Sequence, residues 1–524
     1  MESGLQRPKF QVKENWFRGV LIALVLVWTL QLILVVNRRR KTANFPPGPP
    51  RWPVIGNLLA LGKMAHHDMA RLSRQYGELM YLKLGVVNSV VVSSPEMAKE
   101  FFKVQDSVFS GRPRGAQSKI VFYDSKDLIL AVGDHWRFIR KIAAVELFSP
   151  KRVKEFADAR SEEILITATQ ILKKGKVGEP IKADAELLGL SFNNITRLLF
   201  GKTYYGAKAT GEPADSAEFQ RLIIANNAAG FLVIEDFLPF LKFLDLGGTK
   251  GKMKKNGAGF DAFLSKILKE HRRKEPSKER GTVIVDALLQ IQKEEPALKD
   301  ATIKGLLLDM LLAGAETVSD VEQWALTELM RHPDILEKVT KELDAVVGRG
   351  RLVDEADLVH LTYLQAVVNE IFRLHPVLPF LVPHESLADT KVAGYDIPKG
   401  TRVFFNTYGM GRDPKIWEDP LTFNPDRFLN SPINAKGQCY ELTPFGSGRR
   451  ICVGLNYAVI LVELTLAQLL HLCDFSLPHG MKPSDVDVEE SFGDQITVPK
   501  LRPLEIVAKP RLPLHVYSEA GITF

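Results

Sequence analysis

Cysteine is scarce: Cys439, Cys452 and Cys473 are the only three in 524 residues. So few, and an odd number, exclude a disulfide framework and suit a body that faces a reducing compartment. Each thiol must be explained singly, because a free buried cysteine behaves as a small hydrophobe unless reactivity or ligation gives it a role. The body also lacks excess charge. Residues 1–41 hold eight Lys/Arg (Arg7, Lys9, Lys13, Arg18, Arg38, Arg39, Arg40, Lys41) against Glu2 and Glu14, so +6 of the formal +7 lies there and the other 483 residues carry 61 basic and 60 acidic groups. A nearly neutral body gives a polyanion nothing to hold, which excludes nucleic acid as a partner. Internal repeats, low-complexity linkers and a flavin or nicotinamide fingerprint are missing too; Gly446-x-Gly448 is too short a match.

One long apolar run is present. From Gly19 to Val36 the chain reads GVLIALVLVWTLQLILVV, eighteen residues without a charge. As a helix it spans about 27 Å, close to the hydrocarbon thickness of a bilayer. Asn37 and Arg38-Arg39-Arg40-Lys41 follow, a stop-transfer pattern where a signal peptide would show a small-residue cleavage site. Four basic residues precede the run and four follow it, so charge counting leaves its orientation open. In Phe45-Pro46-Pro47-Gly48-Pro49-Pro50-Arg51-Trp52-Pro53, fixed φ angles and missing amide donors predict a stiff spacer. The expected organisation is a polar segment over 1–18, a transmembrane anchor over 19–36, a basic and proline-rich hinge over 37–53, and one catalytic domain over 54–524.

Within that domain Leu79 to Ser93 gives two β-branched, partly alternating runs around Gly85–Asn88, which predicts a hairpin. Most of the remainder has helical period, with further short strands near the C-terminus, so the class is mainly α with small β-sheets. Lys250–Gly259 and Arg272–Gly281, basic and Gly/Pro-containing, read as connections. The longest predicted helix runs from Asp300, as its N-cap, to Arg331, where His332-Pro333 stops it. Its first half is apolar on all sides and should be buried. Inside it, Ala313-Gly314-Ala315-Glu316-Thr317 sets small residues, which let something flat approach the backbone, beside a carboxylate and a hydroxyl. Alone, a mid-helix threonine bonds back to the preceding turn. His66-His67-Asp68 has the look of a metal cluster but reads more simply as a solvated helix start, and Asn194-Ile195-Thr196 is a glycosylation sequon that a cytosolic face leaves unused.

The most specific string is Pro444-Phe445-Gly446-Ser447-Gly448-Arg449-Arg450-Ile451-Cys452-Val453-Gly454, followed by an apolar helix-forming run from Leu455 to Leu472. One cysteine thus sits just before a helix N-terminus in a Gly-rich turn with two arginines, where amide donors and the helix dipole favour a thiolate. Zinc sites want further Cys or His at short spacing, and papain-type nucleophiles want their own flanking signature; neither is seen. Single-cysteine ligation of a haem iron remains.

Here the chain resembles the cytochrome P-450 superfamily, the haem-thiolate monooxygenases, over essentially everything from Phe45 to the C-terminus. Phe445-x-x-Gly448-x-Arg450-x-Cys452-x-Gly454 is similar to the family's haem-binding signature. Glu370-Ile371-Phe372-Arg373 resembles its Glu-x-x-Arg pair, and Phe423-Asn424-Pro425-Asp426-Arg427-Phe428 the segment that completes an ionic triad with it. Ala313-Gly314-x-Glu316-Thr317 resembles the oxygen-activation motif, and Trp136-x-x-x-Arg140 the helix that contacts a haem propionate. The resemblance implies the P-450 fold, with haem b between the long central helix and the Cys-ligand loop.

By resemblance, Cys452 is the axial iron ligand, favouring O–O cleavage by electron donation. Phe445 shields the sulfur, Gly448 and Gly454 permit close backbone approach, and Arg450 neutralises a propionate, which Trp136 and Arg140 also reach. His384, in Pro383-His384-Glu385-Ser386, resembles a position whose basic side chain meets a propionate. Glu316 and Thr317 are the catalytic candidates, a carboxylate relaying protons from solvent to a hydroxyl. Glu370, Arg373 and Arg427 form a structural ionic network. Cys439 and Cys473 are inert. Val453 replaces the family's usual proline and restores an amide N–H beside the sulfur, and Val318 stands where a second Thr or Ser is common.

The implied activity is insertion of one oxygen atom from O2 into an apolar small molecule, with electrons from NADPH delivered by NADPH-cytochrome P-450 reductase; Arg137, Lys141 and Arg449 would face that acidic partner. The hinge, the Pro383–Ser386 segment and the closing Ala508-Lys509-Pro510-Arg511-Leu512 resemble plant microsomal enzymes, above all the in-chain fatty-acid hydroxylases of spore and pollen wall synthesis. A medium-chain fatty acid is the substrate so implied. Alternatives are a phenylpropanoid or flavonoid hydroxylase, an isomerase or dehydratase on the same fold, and a non-catalytic haem-binding protein. Phe122, Ala313, Val377, Leu378, Phe380 and Ile496 are the expected pocket walls. The location implied is the endoplasmic reticulum membrane, single-pass, with the catalytic domain facing the cytosol and membrane lipid around the anchor.

Overall fold

The apolar alternation from Leu79 forms the predicted hairpin. The computed structural model describes residues 43–206, 208–227, 233–273, 283–491 and 496–524, so the expected anchor at 19–36, the first part of the hinge and residues 274–281 lie outside the described residues. Strands β1 (Leu79–Leu84) and β2 (Val87–Val92) pair antiparallel across Gly85, whose φ of +57° suits a residue without a Cβ. Two later strands, β4 (His384–Glu385) and β5 (Arg402–Phe405), extend them into a sheet of order β1-β2-β5-β4, in which β2 and β5 run parallel. A second sheet joins β3 (Ile181–Lys182), β7 (Glu505–Pro510) and β6 (Cys473–Ser476).

Thr390–Val392 and Tyr395–Ile397 pair as a separate two-stranded ladder, and most of the rest is helical. The helices that frame the site are α1 (Ala65–Tyr76), α2 (Gly133–Ile142), α3 (Ala157–Lys176), α4 (Ala183–Phe200), α5 (Asp300–Arg331), α6 (Thr362–Leu374) and α7 (Leu455–Leu472). The central helix, α5, has the predicted bounds, but Lys299 is its N-cap, because the Asp300 carboxylate is engaged by Arg272 and Gln292. Its main neighbour is α4, and there Gly314 explains itself: a Cβ would come within 3.0 Å of Ile195 Cδ1. The small residue serves helix packing. Among the described residues α7 alone is long and apolar enough to cross a membrane, yet 72% of it is buried, so it is a core helix.

Three readings change. Lys250–Gly259 is no connection but part of a 25-residue helix, Thr249–Arg273, whose glycines admit neighbours: a Cβ on Gly259 would meet Leu222 Cδ2 at 2.4 Å. His66 is buried rather than solvated, and His66 and His67 each place Nε2 2.7 Å from Glu490 Oε2, tying α1 to the C-terminal segment. The proline-rich stretch is laid along β1 rather than standing free. Tyr81 N donates to Pro47 O at 2.8 Å, and a Cβ on Gly48 would lie 2.0 Å from Tyr81 O. Asn194 of the sequon is 3% exposed inside α4, which closes it to glycosylation.

Asn57 locks that stretch. It is 1% exposed, its Oδ1 accepts from Lys83 N at 2.8 Å, and its Nδ2 donates to Pro50 O at 2.9 Å and Pro49 O at 3.2 Å. Asn57→Ala removes three hydrogen bonds whose partners are only partly buried, and is expected to lower unfolding free energy by about 1–3 kcal/mol. Chemical denaturation together with limited proteolysis before Trp52 checks this.

Candidate active site

The Gly-rich turn before α7 is held by its own backbone: Cys452 N donates to Phe445 O at 3.0 Å, and Ser447 Oγ to Gly437 O at 2.5 Å. Gly448 has φ +66°, and a Cβ there would lie 2.4 Å from Phe102 O, so the position excludes any side chain. Phe445 packs edge-on to Phe372, ring centroids 5.2 Å apart, and Gly454 ends the turn as the N-cap of α7. The Cys452 side chain is open, although protein surrounds it closely enough for burial to be the largest influence on its thiol; it therefore borders an interior space. Burial pushes the thiol up, while the Gly454 N–H and the charge of Arg140 pull it down. Burial outweighs the donors counted on in the sequence, and a metal on the sulfur would displace the proton outright. The amide that reaches the sulfur is that of Gly454, one residue beyond Val453.

Three arginines converge on the same region. Arg450 lies over the Trp136 ring at 4.1 Å and donates from Nε to Ser110 O (2.8 Å) and from Nη2 to Ala131 O (2.7 Å). Its Nη1 is buried and meets no acceptor among the described residues. Arg112, wholly enclosed, donates to Val382 O (2.6 Å), Pro383 O (2.9 Å) and Ile129 O (3.1 Å). Arg140 lies near both Cys452 and Arg450. None of the three makes an ion pair with a carboxylate among the described residues. Burial, and then mutual repulsion with Arg140, holds Arg450 down at about 10, and burial followed by the charge of Arg450 lowers Arg112. Of the other two expected propionate contacts, the Trp136 indole lies under Arg450, and Arg140 lies between Arg450 and the sulfur. His384 is buried beside the same arginines: its Nδ1 donates to Phe109 O at 2.7 Å, and burial, then Arg112, hold the ring below its ordinary range.

Burial along α5 breaks at Ala313, Gly314, Glu316 and Thr317, between buried stretches on either side. Thr317 Oγ1 donates to Ala313 O at 2.7 Å, the bond to the preceding turn. Its proton is committed, and its lone pairs remain as acceptors. Burial, and then the charge of Glu316, pushes up both the Tyr205 hydroxyl and, four residues on, the carboxyl of Asp320, which the Thr497 hydroxyl meets. An accessible strip of small residues, an open thiol at a helix start and an unpartnered guanidinium N–H beside two further arginines fit a flat, dianionic macrocycle carrying a metal, as haem does.

The expected triad is assembled. Arg373 donates from Nε to Glu370 Oε2 (2.6 Å) and from Nη2 to Oε1 (2.7 Å), and Arg427 Nε (3.1 Å) and Asn424 N (2.7 Å) also reach Oε1. Carbonyls of Gly411, Pro420 and Thr422 take the remaining donors of Arg373. Of the expected pocket walls, Val377 meets the segment after Ile496 through Val498 N to Val377 O at 3.0 Å. Phe122 is buried, and Leu378 and Ile496 are half-buried. Phe380 turns instead to the first sheet, edge-on to Phe404 (5.9 Å) and His66 (6.4 Å). Sequence reasoning missed Arg112, Asp127, Asp309 and Asp320. For the acids a signal existed, charged residues inside or beside the most apolar helix.

The Cytochrome P450 family profile matches residues 46–502. Cytochrome P450 703A2 of Arabidopsis thaliana is 38% identical over 516 residues, covering 95% of this chain and 98% of that protein. Flavonoid 3'-monooxygenase of Petunia hybrida is 37% identical over 510 residues, with 95% and 98% covered. Cytochrome P450 703A2 of Oryza sativa subsp. japonica is 39% identical over 499 residues, with 91% and 94% covered.

Glu370→Ala leaves the buried Arg373 guanidinium, and the partly exposed one of Arg427, without a carboxylate, at a cost of about 3–5 kcal/mol. The expected outcome is loss of folded, pigmented protein with no change in product pattern for whatever fraction survives, measured by expression yield, thermal unfolding and product chromatography.

Proposed function

The chain belongs to the cytochrome P450 family, and from that premise we propose roles for its site residues, a substrate and a membrane setting. It is a monooxygenase, with haem b as cofactor and electrons drawn from NADPH through a reductase. When bound, haem b supplies the iron centre at which dioxygen is activated and one oxygen atom passes to the substrate. Cys452 would hold the iron through its sulfur; the observation that carries this is an open thiol deep in the fold, between the Gly454 N–H and Arg140. Arg450 and Arg112 would take the propionates, Arg450 with the guanidinium edge that meets no acceptor among the described residues. Thr317, its proton on Ala313 O, would hold a water or acid proton at Oγ1, and Glu316 would pass protons to it.

The substrate proposed is an apolar small molecule, in the first place a medium-chain fatty acid hydroxylated within its chain. Apolar Phe122, Ala313, Val377, Leu378 and Ile496 support this, since an alkyl chain needs walls and no donors. Two observations favour a second reading, a flavonoid: relatives named flavonoid 3'-monooxygenase, and Asp320 with Thr497 beside Ile496, which could hold a phenolic hydroxyl.

Anchoring by residues 19–36 in the endoplasmic reticulum, body to the cytosol, is supported by an apolar patch near the N-terminal entry of the chain. Trp52, Val54, Leu59, Val86, Phe240 and Phe243 are exposed, and Val86 N donates to Phe237 O at 2.9 Å, joining the two segments. A patch of this kind rests on another surface, and lipid fits its composition. Exposed Arg137, Lys141 and Arg449, near the Cys452 turn, would receive the reductase.

A carbon-monoxide difference spectrum of the reduced protein is expected to show the thiolate-type Soret band, and Cys452→Ala to lose it. A histidine-type band in folded wild-type protein refutes the ligand. Turnover with reductase, NADPH and a panel of medium-chain fatty acids and flavonoids is expected to yield in-chain hydroxy acids; conversion of the flavonoids alone decides for the second reading.

A further inference from the structure

Two buried carboxyls meet between the central helix and the loop that leads into α2. Asp309, one turn before Ala313 and 4% exposed, accepts at Oδ2 from Leu128 N (2.5 Å) and Ile129 N (3.1 Å). Asp127, 0% exposed, accepts at Oδ2 from Leu130 N at 2.8 Å. The Oδ1 of each is buried and meets no N–H or O–H among the described residues, and the two carboxyls are in hydrogen-bond contact with each other. Two acceptor-only oxygens cannot share a dry site unless one carries a proton. Burial, with Asp127 beside it, drives Asp309 well above the ordinary range, and burial raises Asp127 to about 6. The charges that face Asp127 from other elements are those of Arg112 and Arg450; Arg450 in turn faces Asp106 and Arg140.

We propose that Asp127 and Asp309 share one proton and act as a positioning pair, clamping residues 127–131 to the central helix so that the carbonyls carrying Arg112 and Arg450 stay in place. The loop is gripped from both sides. Its amides at 128, 129 and 130 go to the two carboxyls, and its carbonyls at Ile129 and Ala131 receive Arg112 Nε (3.1 Å) and Arg450 Nη2 (2.7 Å). Gly305 clears its seat, because a Cβ there would come within 3.1 Å of Asp127 N. Just upstream, Tyr123, Asp124 and Ser125 are held at φ 51°, 56° and 61°, a left-handed run of non-glycine residues that needs an external tie. The clamp stands on this geometry; its effect on the cofactor rests on the proposed roles of Arg112 and Arg450.

The test uses the haem-loaded protein with Asp309→Asn, Asp127→Asn and the double variant. In either single variant the amide carbonyl keeps the backbone bonds and its NH2 replaces the shared proton. In the double variant two NH2 groups face each other, and turning one amide sacrifices its backbone bonds. Expected are a deuterium-sensitive protonated-carboxyl C=O band in wild-type infrared spectra that both single variants lose, near-wild-type thermal midpoints for the singles, and haem release from the double at least tenfold faster than from either single. Raising the pH should speed haem release from wild type as the shared proton leaves, and leave the singles flat. Absence of the band, single variants as impaired as the double, or a double no worse than the singles overturns the pair. If the band and the midpoints behave as expected but haem release is unchanged throughout, the pair stands and the assignment of Arg112 and Arg450 to the propionates falls.

Discussion

Buried positive charge is the constraint around which this fold is arranged. Arg112, Arg140 and Arg450 crowd a region where burial, then Arg450, makes ionisation of Arg112 harder, and burial, then Arg140, that of Arg450, and the protein answers with carbonyl dipoles in place of carboxylates: Val382, Pro383, Ile129, Ser110 and Ala131 all turn oxygens toward guanidinium groups. Carbonyls solvate such charges without neutralising them, which leaves the cations available to a dianionic cofactor such as haem b. The open thiol of Cys452 lies inside that field, so the electrostatics that suit propionates also temper the cost of a thiolate.

The Glu370 network shows the opposite use of buried charge. There every carboxylate lone pair facing Arg373 and Arg427 is spent, and carbonyls of the 411–422 stretch take the remaining donors. A fully satisfied network has no capacity left for a ligand, and it works as a strut between α6 and the loop that precedes the Cys452 turn. One fold thus holds two arginine clusters, one closed by its own acid and one kept open.

Features written in contiguous residues are legible in the amino-acid order alone. The Gly-rich turn with Cys452, the limits of the central helix and the hairpin about Gly85 each announce themselves through spacing or punctuation, whereas the membership of the Glu370 triad comes from the family resemblance alone. What failed depends on three-dimensional neighbours. Gly257 and Gly259 look like breaks until Ile120 and Leu222 are seen pressed against them; Asp300 looks like a cap until Arg272 claims it. Asp127 and Asp309 lie far apart along the chain, and only the folded backbone sets one against the other.

The strap along β1 reaches beyond the body. Because Pro47 and Gly48 lie directly on Tyr81 and Asn57 grips the two prolines that follow, the polypeptide enters the sheet along one fixed bearing. Whatever holds the preceding residues therefore grips the body by a bracket instead of a leash: the body cannot swivel about its entry point, and the sheet determines which face it presents to its surroundings.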